Sequence, residues 1–211
     1  AGQCKNTNQI FFPNAAKDIF MACVLHFMRS VPPQGRTNKA LVHYINSTPT
    51  RQIKAMLASY DDLRAMTSYI DNEDSPQTQG VMSVLQQVIR EVFIGNFSKV
   101  GTLSLRNLVR KKGGKKVFIE YYLSIGSMLS PVYSLMFDMA IKAALGRKRS
   151  AGNVYFITDE FRLLPNLEHI DDAVNFGRSL GIKFMIGIQN VEQIYECYGE
   201  ERARSILSGF L

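Results

Sequence analysis

Cysteine is scarce. Cys4, Cys23 and Cys197 are the only three in 211 residues, odd in number and far apart. No CxxC pair occurs, and the three histidines show no ligand spacing. That argues against a disulfide framework or a zinc site and for free thiols in a reducing compartment. Long apolar runs are lacking too: none approaches the roughly 20 residues that span a bilayer. The opening AGQCKNTNQI has no apolar stretch of the kind a secretory leader needs. Starting on Ala and ending at ILSGFL, the chain reads as a piece of a longer protein, whose membrane segments would lie elsewhere. The absence with most chemical weight is G-x-x-x-x-G-K-S/T. KKGGKK has neither its spacing nor its hydroxyl, and it precedes an expected strand where a phosphate loop must follow one. These residues therefore contain no phosphate cradle of that type.

What is present is an ordinary globular composition, 46% hydrophobic and 20% charged, with a formal net charge of +7. The charge is not spread evenly. Residues 99–149 hold eleven Lys and Arg against Glu120 and Asp138, a net of +9, while the rest hold 14 basic and 16 acidic, a net of −2. The excess lies in RKKGGKK (110–116) and GRKR (146–149), with Lys111, Lys112, Lys115, Lys116, Arg147, Lys148 and Arg149 as the candidate contacts. Such clusters attract nucleic acid or anionic lipid weakly and without sequence preference. A solvated loop that keeps the protein soluble is an equally good reading.

Organisation changes near residue 100. Before it the pattern is helical: PNAAKDIFMACVLHFMR starts at Pro13–Asn14 and carries Ile19, Phe20, Cys23, Val24 and Phe27 on one face. VPPQG interrupts; a short helix follows at Leu41, Tyr44 and Ile45, then one with Ile53, Met56, Leu57 and Tyr60, then one with Leu63, Met66 and Ile70. The strongest, 77–94, has Val81, Val84, Leu85, Val88, Ile89 and Val92 on one stripe. After residue 100 the period switches to strand (116–123), helix with Pro131 near its start and Gly146 at its end, strand (153–158), helix from Asn166, strand (183–188), then a helix opening at Asn190. Alternation of this kind predicts a parallel sheet. The boundary is expected at 105/106.

One stretch carries the chemistry. In NVYFITDEF, four apolar residues run into Asp159 and Glu160. The run predicts a strand buried on both faces, with two carboxylates at its carboxyl end, where open α/β sheets bind ligands. Nucleotide-hydrolysing folds need two such acids, one to hold Mg²⁺ through its water shell and one to polarise the attacking water. A helix cap or an ion pair would explain the acids equally well. KFMIGIQN places Gln189 at the same level on the next strand, either as a sensor of the γ-phosphate or water, or as an ordinary polar strand end. GRSLGI puts Arg178 on a glycine-flanked turn, as a finger reaching a phosphate across a subunit boundary or as a cation near a helix C-terminus.

Residues 153–211 resemble the TraG/TraD-type coupling proteins of type IV secretion and conjugation. DEF after an apolar strand, the PNL helix start, the GRSxGI turn, the strand ending in Gln, YG and ILSG carry the resemblance, and FFPNAAKDIF is similar to the helix that opens the family's all-α domain. It implies an α/β fold with a helical insertion. Three or more parallel strands of a RecA-like P-loop NTPase core would form 106–211, and an all-α bundle that recognises substrate would form 1–105. It implies a hexameric, ATP- and Mg²⁺-dependent ATPase that moves single-stranded DNA, or protein attached to it, into the secretion channel. Its partners would be a relaxase or relaxosome, and these residues would be the cytoplasmic portion of an inner-membrane-anchored protein. Asp159 and Glu160 match the Walker B pair, with Asp159 as the Mg²⁺ residue, Arg178 the trans-acting arginine and Gln189 the sensor. The missing P-loop leaves two alternatives: a non-catalytic relaxosome-binding helical module on a remnant α/β scaffold, or a related hexameric DNA translocase.

Overall fold

A computed structural model describes residues 7–111, 114–148 and 152–210. They form two compact units that meet in sequence between Gly101 and Thr102.

The first unit is helical. Helix α1 (Thr7–Ser30) packs on α4 (Pro76–Val92), joined by α2 (Asn38–Ser47), α3 (Thr50–Ala58) and a 3₁₀ segment, Arg64–Ile70. Its core is Ile19, Ala22, Cys23 and Phe27 against Ile45, Ile53, Leu57, Leu63, Ile70, Val81, Leu85 and Ile89. Each such Leu or Ile contributes ~1.5–3 kcal/mol relative to exposure. Caps set the starts. Thr37 Oγ1 accepts from Ala40 N (3.2 Å) and Ser75 Oγ from Thr78 N (3.2 Å), each worth about 1 kcal/mol. Three expectations change. Helix α1 begins before Pro13, which lies inside it. Arg64–Ile70, which follows Leu63, winds as 3₁₀ rather than α. Val88 faces solvent, so the α4 stripe is narrower than its apolar residues suggest.

The second unit runs α5 (Leu105–Arg110), α6 (Gly126–Leu145), β1 (Val154–Thr158), α7 (Ile170–Phe176), β2 (Ile182–Ile186), α8 (Glu192–Tyr198) and α9 (Glu200–Ser208). Strands β1 and β2 pair in parallel, Phe156 opposite Phe184 and Thr158 opposite Ile186. Phe156, Ile182, Ile141, Ala144, Phe161, Leu167, Ile170, Ile194, Ala203 and Ile206 make the core. Gly181 takes a left-handed φ of 79° at the end of the 3₁₀ turn Gly177–Leu180, a conformation glycine adopts without Cβ strain.

Several expectations are corrected in this unit. Among the described residues the sheet has two strands, not three: 116–123 forms no strand, and Phe118 and Leu123 are each 89% exposed. Its apolar, β-branched and aromatic residues have the composition of a strand, but a strand needs a partner for its backbone groups. Strand β1 is not buried on both faces. Phe156 faces the core while Tyr155 and Ile157 are exposed, as is Met185 beside them on β2. Helix α6 starts before Pro131, which lies within it. Helix α7 begins at Ile170, and Asn166 sits in a left-handed turn (φ 58°) instead of capping it. The expected absence of membrane-length apolar helices is also revised. Ile10–Ser30 and Gly126–Leu145 pass on length and mean hydropathy, 1.2 each. Ala and Met carry much of that apolar length in place of an unbroken Leu/Ile/Val run. Both helices also contribute core residues, Ile19 and Cys23 from one, Ile141 and Ala144 from the other.

Candidate functional site

The parallel pairing puts the carboxyl ends of β1 and β2 side by side, and with them Asp159, Glu160 and Gln189. Gly187 welds the two ends together. Its N–H donates to Thr158 O (2.7 Å) and its carbonyl accepts from Phe161 N (2.9 Å). A Cβ at 187 would sit on the Asp159 carbonyl, so only glycine permits this approach.

At this edge Gln189 Nε2 donates to Glu160 Oε2 at 3.0 Å. The other carboxylate oxygen, Glu160 Oε1, is enclosed and has no hydrogen-bond partner, and so is Thr158 Oγ1. Asp159 is exposed beside them. An enclosed carboxylate oxygen without a donor is costly in a finished structure; as the edge stands Glu160 Oε1 is covered by protein, and Asp159 is the carboxylate open to solvent. The exposed Asp159 carboxylate offers oxygen donors of the kind a hard cation such as Mg²⁺ takes.

Phe161, the third residue of DEF, explains a sequence pattern that chemistry alone leaves open. Its ring is buried and stacks on Tyr198 with centroids 5.7 Å apart. The Tyr198 hydroxyl donates to Leu164 O at 2.8 Å and accepts from Leu167 N at 3.4 Å. DEF, PNL and YG are thus one packed cluster behind the acids. Burial raises the Tyr198 phenol well above its ordinary value and keeps it a neutral donor.

A second polar link supports the same region. Asp138, buried on α6, accepts from His169 N (2.8 Å) and pairs with His169 Nδ1 (2.7 Å), so the carboxylate caps α7 in place of Asn166. Glu168 brings a third potential ligand atom within 4.8 Å of theirs. No sequence spacing reveals this cluster because 30 residues separate Asp138 from Glu168. As it stands, both Asp138 oxygens are satisfied by His169, which accounts for the cluster without a metal.

The remaining expected residues lie elsewhere. Arg178 sits on the 3₁₀ turn that leads into β2, at the amino end of the sheet, opposite Glu160 and Gln189. It lines an open cleft of about 530 Å³ with Asn175, Phe176 and Ser179. Of the basic clusters, Lys111, Lys115, Lys116 and Lys148 are exposed. Arg147 is a correction: it is 7% exposed and donates to Gly152 O at 3.3 Å, so it belongs to the turn before β1 and not to a binding surface. Lys112 and Arg149 lie outside the described residues.

A model of the type IV secretion-system coupling protein DNA-binding domain matches residues 3–210. The chain belongs to that family. Over 92 residues, 43% of its length, it is 30% identical to the coupling protein TraD of Escherichia coli (strain K12), of which those residues are 13%. Its fold is similar to that of the plasmid coupling protein TrwB. One TrwB structure was solved with the non-hydrolysable GTP analogue GDPNP, and 98% of this chain matches 48% of it at 17% identity and a TM-score of 0.73. A second was solved with ADP and Mg²⁺, with 98% and 48% coverage, 18% identity and a TM-score of 0.72. This coupling-protein chain therefore spans about half the length of those TrwB chains and far less of TraD.

Proposed function

We propose that these residues are the Walker B half of a coupling ATPase that uses ATP to drive single-stranded DNA, or nucleoprotein, into a type IV secretion channel. The observation that carries this reading is the Gln189–Glu160 bond at the carboxyl edge of a parallel sheet, beside the exposed Asp159. In it Glu160 polarises the attacking water, Asp159 holds Mg²⁺ through its water shell, and Gln189 reports on the γ-phosphate side. Bound Mg²⁺ would neutralise phosphate charge. The phosphate cradle has to come from polypeptide outside this sequence, which holds no P-loop motif. The first unit would be the helical insertion that selects the substrate, a relaxase or relaxosome. The assembly would be a homo-hexamer whose cytoplasmic portion includes both units, anchored at the inner membrane. Family membership and the likeness to TrwB support this reading.

The test is turnover in a full-length coupling protein carrying this sequence. Glu160→Gln keeps the shape and the bond to Gln189 but loses the base, so turnover falls by on the order of 10²–10⁴-fold with nucleotide binding retained. The 211-residue chain alone does not turn over ATP. Full activity in Glu160→Gln would instead favour the non-catalytic substrate-binding module.

A further inference from the structure

Gln193 makes a pair of bonds that none of the roles above uses. It is 7% exposed, in the first turn of α8. Its Oε1 accepts from Gln189 N at 3.3 Å, while its own N–H donates to Asn190 Oδ1 at 3.1 Å. The two side chains tie the β2–α8 connection reciprocally, in the manner of a capping box shifted by one residue. The consequence is local and chemical. With its backbone N–H held, Gln189 has little freedom beyond its rotamers, and the one it adopts places Nε2 3.0 Å from Glu160 Oε2. That bond takes one carboxylate oxygen, Oε2, and fixes the plane of the carboxylate.

We propose that Gln193 is a positioning residue that locks the Gln189 backbone, so that the Gln189 amide holds the Glu160 carboxylate in the one orientation its work on the attacking water needs. This rests on the reading of Glu160 as the water-polarising carboxylate. The requirement is for an acceptor at 193, not for bulk: an apolar side chain of equal volume fills the site but leaves the Gln189 N–H without its partner.

Substitutions separate acceptor from volume. In the ¹⁵N-labelled 211-residue chain, the Gln189 side-chain amide resonance is followed by NMR with and without Glu160→Ala, which removes the carboxylate it donates to. With Gln193 in place that substitution moves the resonance, and Gln189→Asn removes the resonance, which assigns it. Gln193→Met, which keeps volume and loses the acceptor, loses the movement; Gln193→Glu, which keeps an acceptor oxygen, retains it. Retention in Gln193→Met, or loss in Gln193→Glu alone, overturns the proposal. If Gln193→Met is unfolded by circular dichroism, the exposed Asn190→Ala variant releases the Gln193 N–H instead. Its movement shrinks if Gln193 is the lock, and an unchanged response overturns it. In a full-length protein, Gln193→Met lowers turnover by on the order of 10²-fold, the effect of a ~1 Å misplacement, with nucleotide binding kept. A lost NMR movement with unchanged turnover sinks the reading of Glu160 while leaving the lock itself standing.

Discussion

Gly187 shows how one residue decides the geometry of a site. The β1 and β2 ends meet through its N–H and carbonyl, and a methyl group there would collide with the backbone of the Asp159 peptide, which no rotamer change can move aside. Gly187→Ala is expected to cost about 1–3 kcal/mol by overpacking, seen as a lower urea midpoint, and to separate Glu160 from Gln189. A midpoint equal to that of the parent chain would mean that the edge is plastic. Glycine inside an apolar strand pattern is a signal of close backbone approach, so the role of this residue is legible in the sequence. That of Gln193 is not, because its value lies in where its oxygen points. In the helical unit, burial pushes the Cys23 thiol from its ordinary 9.0 up to about 12. Tyr44 is pushed from 10.0 to about 12, by burial first and then by the neighbouring Cys23 and Tyr60. Both raised values keep protons on the folded state that the unfolded chain would release. Their stabilisation is therefore complete below about pH 9 and is lost as pH rises toward 12. The urea concentration at which Cys23 becomes open to alkylation should hold steady to pH 9 and fall steadily above it; a flat profile to pH 12 would contradict the burial.

At the scale of elements, periodicity read the helices well because each buries a stripe against a neighbour in the same unit. Ile53, Met56 and Leu57 on α3 and Val81, Leu85 and Ile89 on α4 are buried where the pattern puts them. It failed where an element depends on something other than its own residues. Residues 116–123 have strand composition, yet among the described residues no strand pairs with them, and Phe118 and Leu123 stand in solvent. The apolar run of β1 suggested two covered faces; Tyr155, Ile157 and Met185 show one of them open. Helix starts moved for a related reason. Pro13 and Asn166 are good local start signals, but α7 is capped by Asp138, a residue 31 positions away that no local rule can see. The DEF, PNL and YG motifs were legible as a set, while the stacking of Phe161 on Tyr198 that makes them a set was not.

At the scale of the whole molecule, charge and topology make separate claims. The exposed Lys111, Lys115, Lys116 and Lys148 are all in the second unit. If they contact nucleic-acid phosphates, binding of single-stranded DNA falls steeply with salt, and neutralising all four lowers the slope by up to ~0.7 per lost contact; an unchanged slope makes them solubilising only. Arg178 poses the sharper question, because it lies at the amino end of a sheet whose carboxyl end holds Glu160 and Gln189. Two parallel strands of five residues stand between those ends, so a guanidinium at 178 is badly placed to serve the acids of its own chain. In the proposed hexamer it would instead serve a nucleotide held by a neighbouring copy. A guanidinium on a transferring phosphoryl group is worth ~10³–10⁵ in rate. In a full-length protein, Arg178→Ala should therefore abolish turnover with nucleotide binding intact, and Glu160→Gln should do the same from within its own subunit. Mixing Arg178→Ala with Glu160→Gln subunits distinguishes the two placements. If Arg178 acts across the interface, a Glu160→Gln neighbour supplies its arginine to an Arg178→Ala subunit whose acids are intact, and activity returns at mixed interfaces. If Arg178 acts within its own subunit, no mixed interface contains a complete site. A mixture that assembles into hexamers and stays inactive would place the arginine in its own subunit or leave it with the turn it occupies.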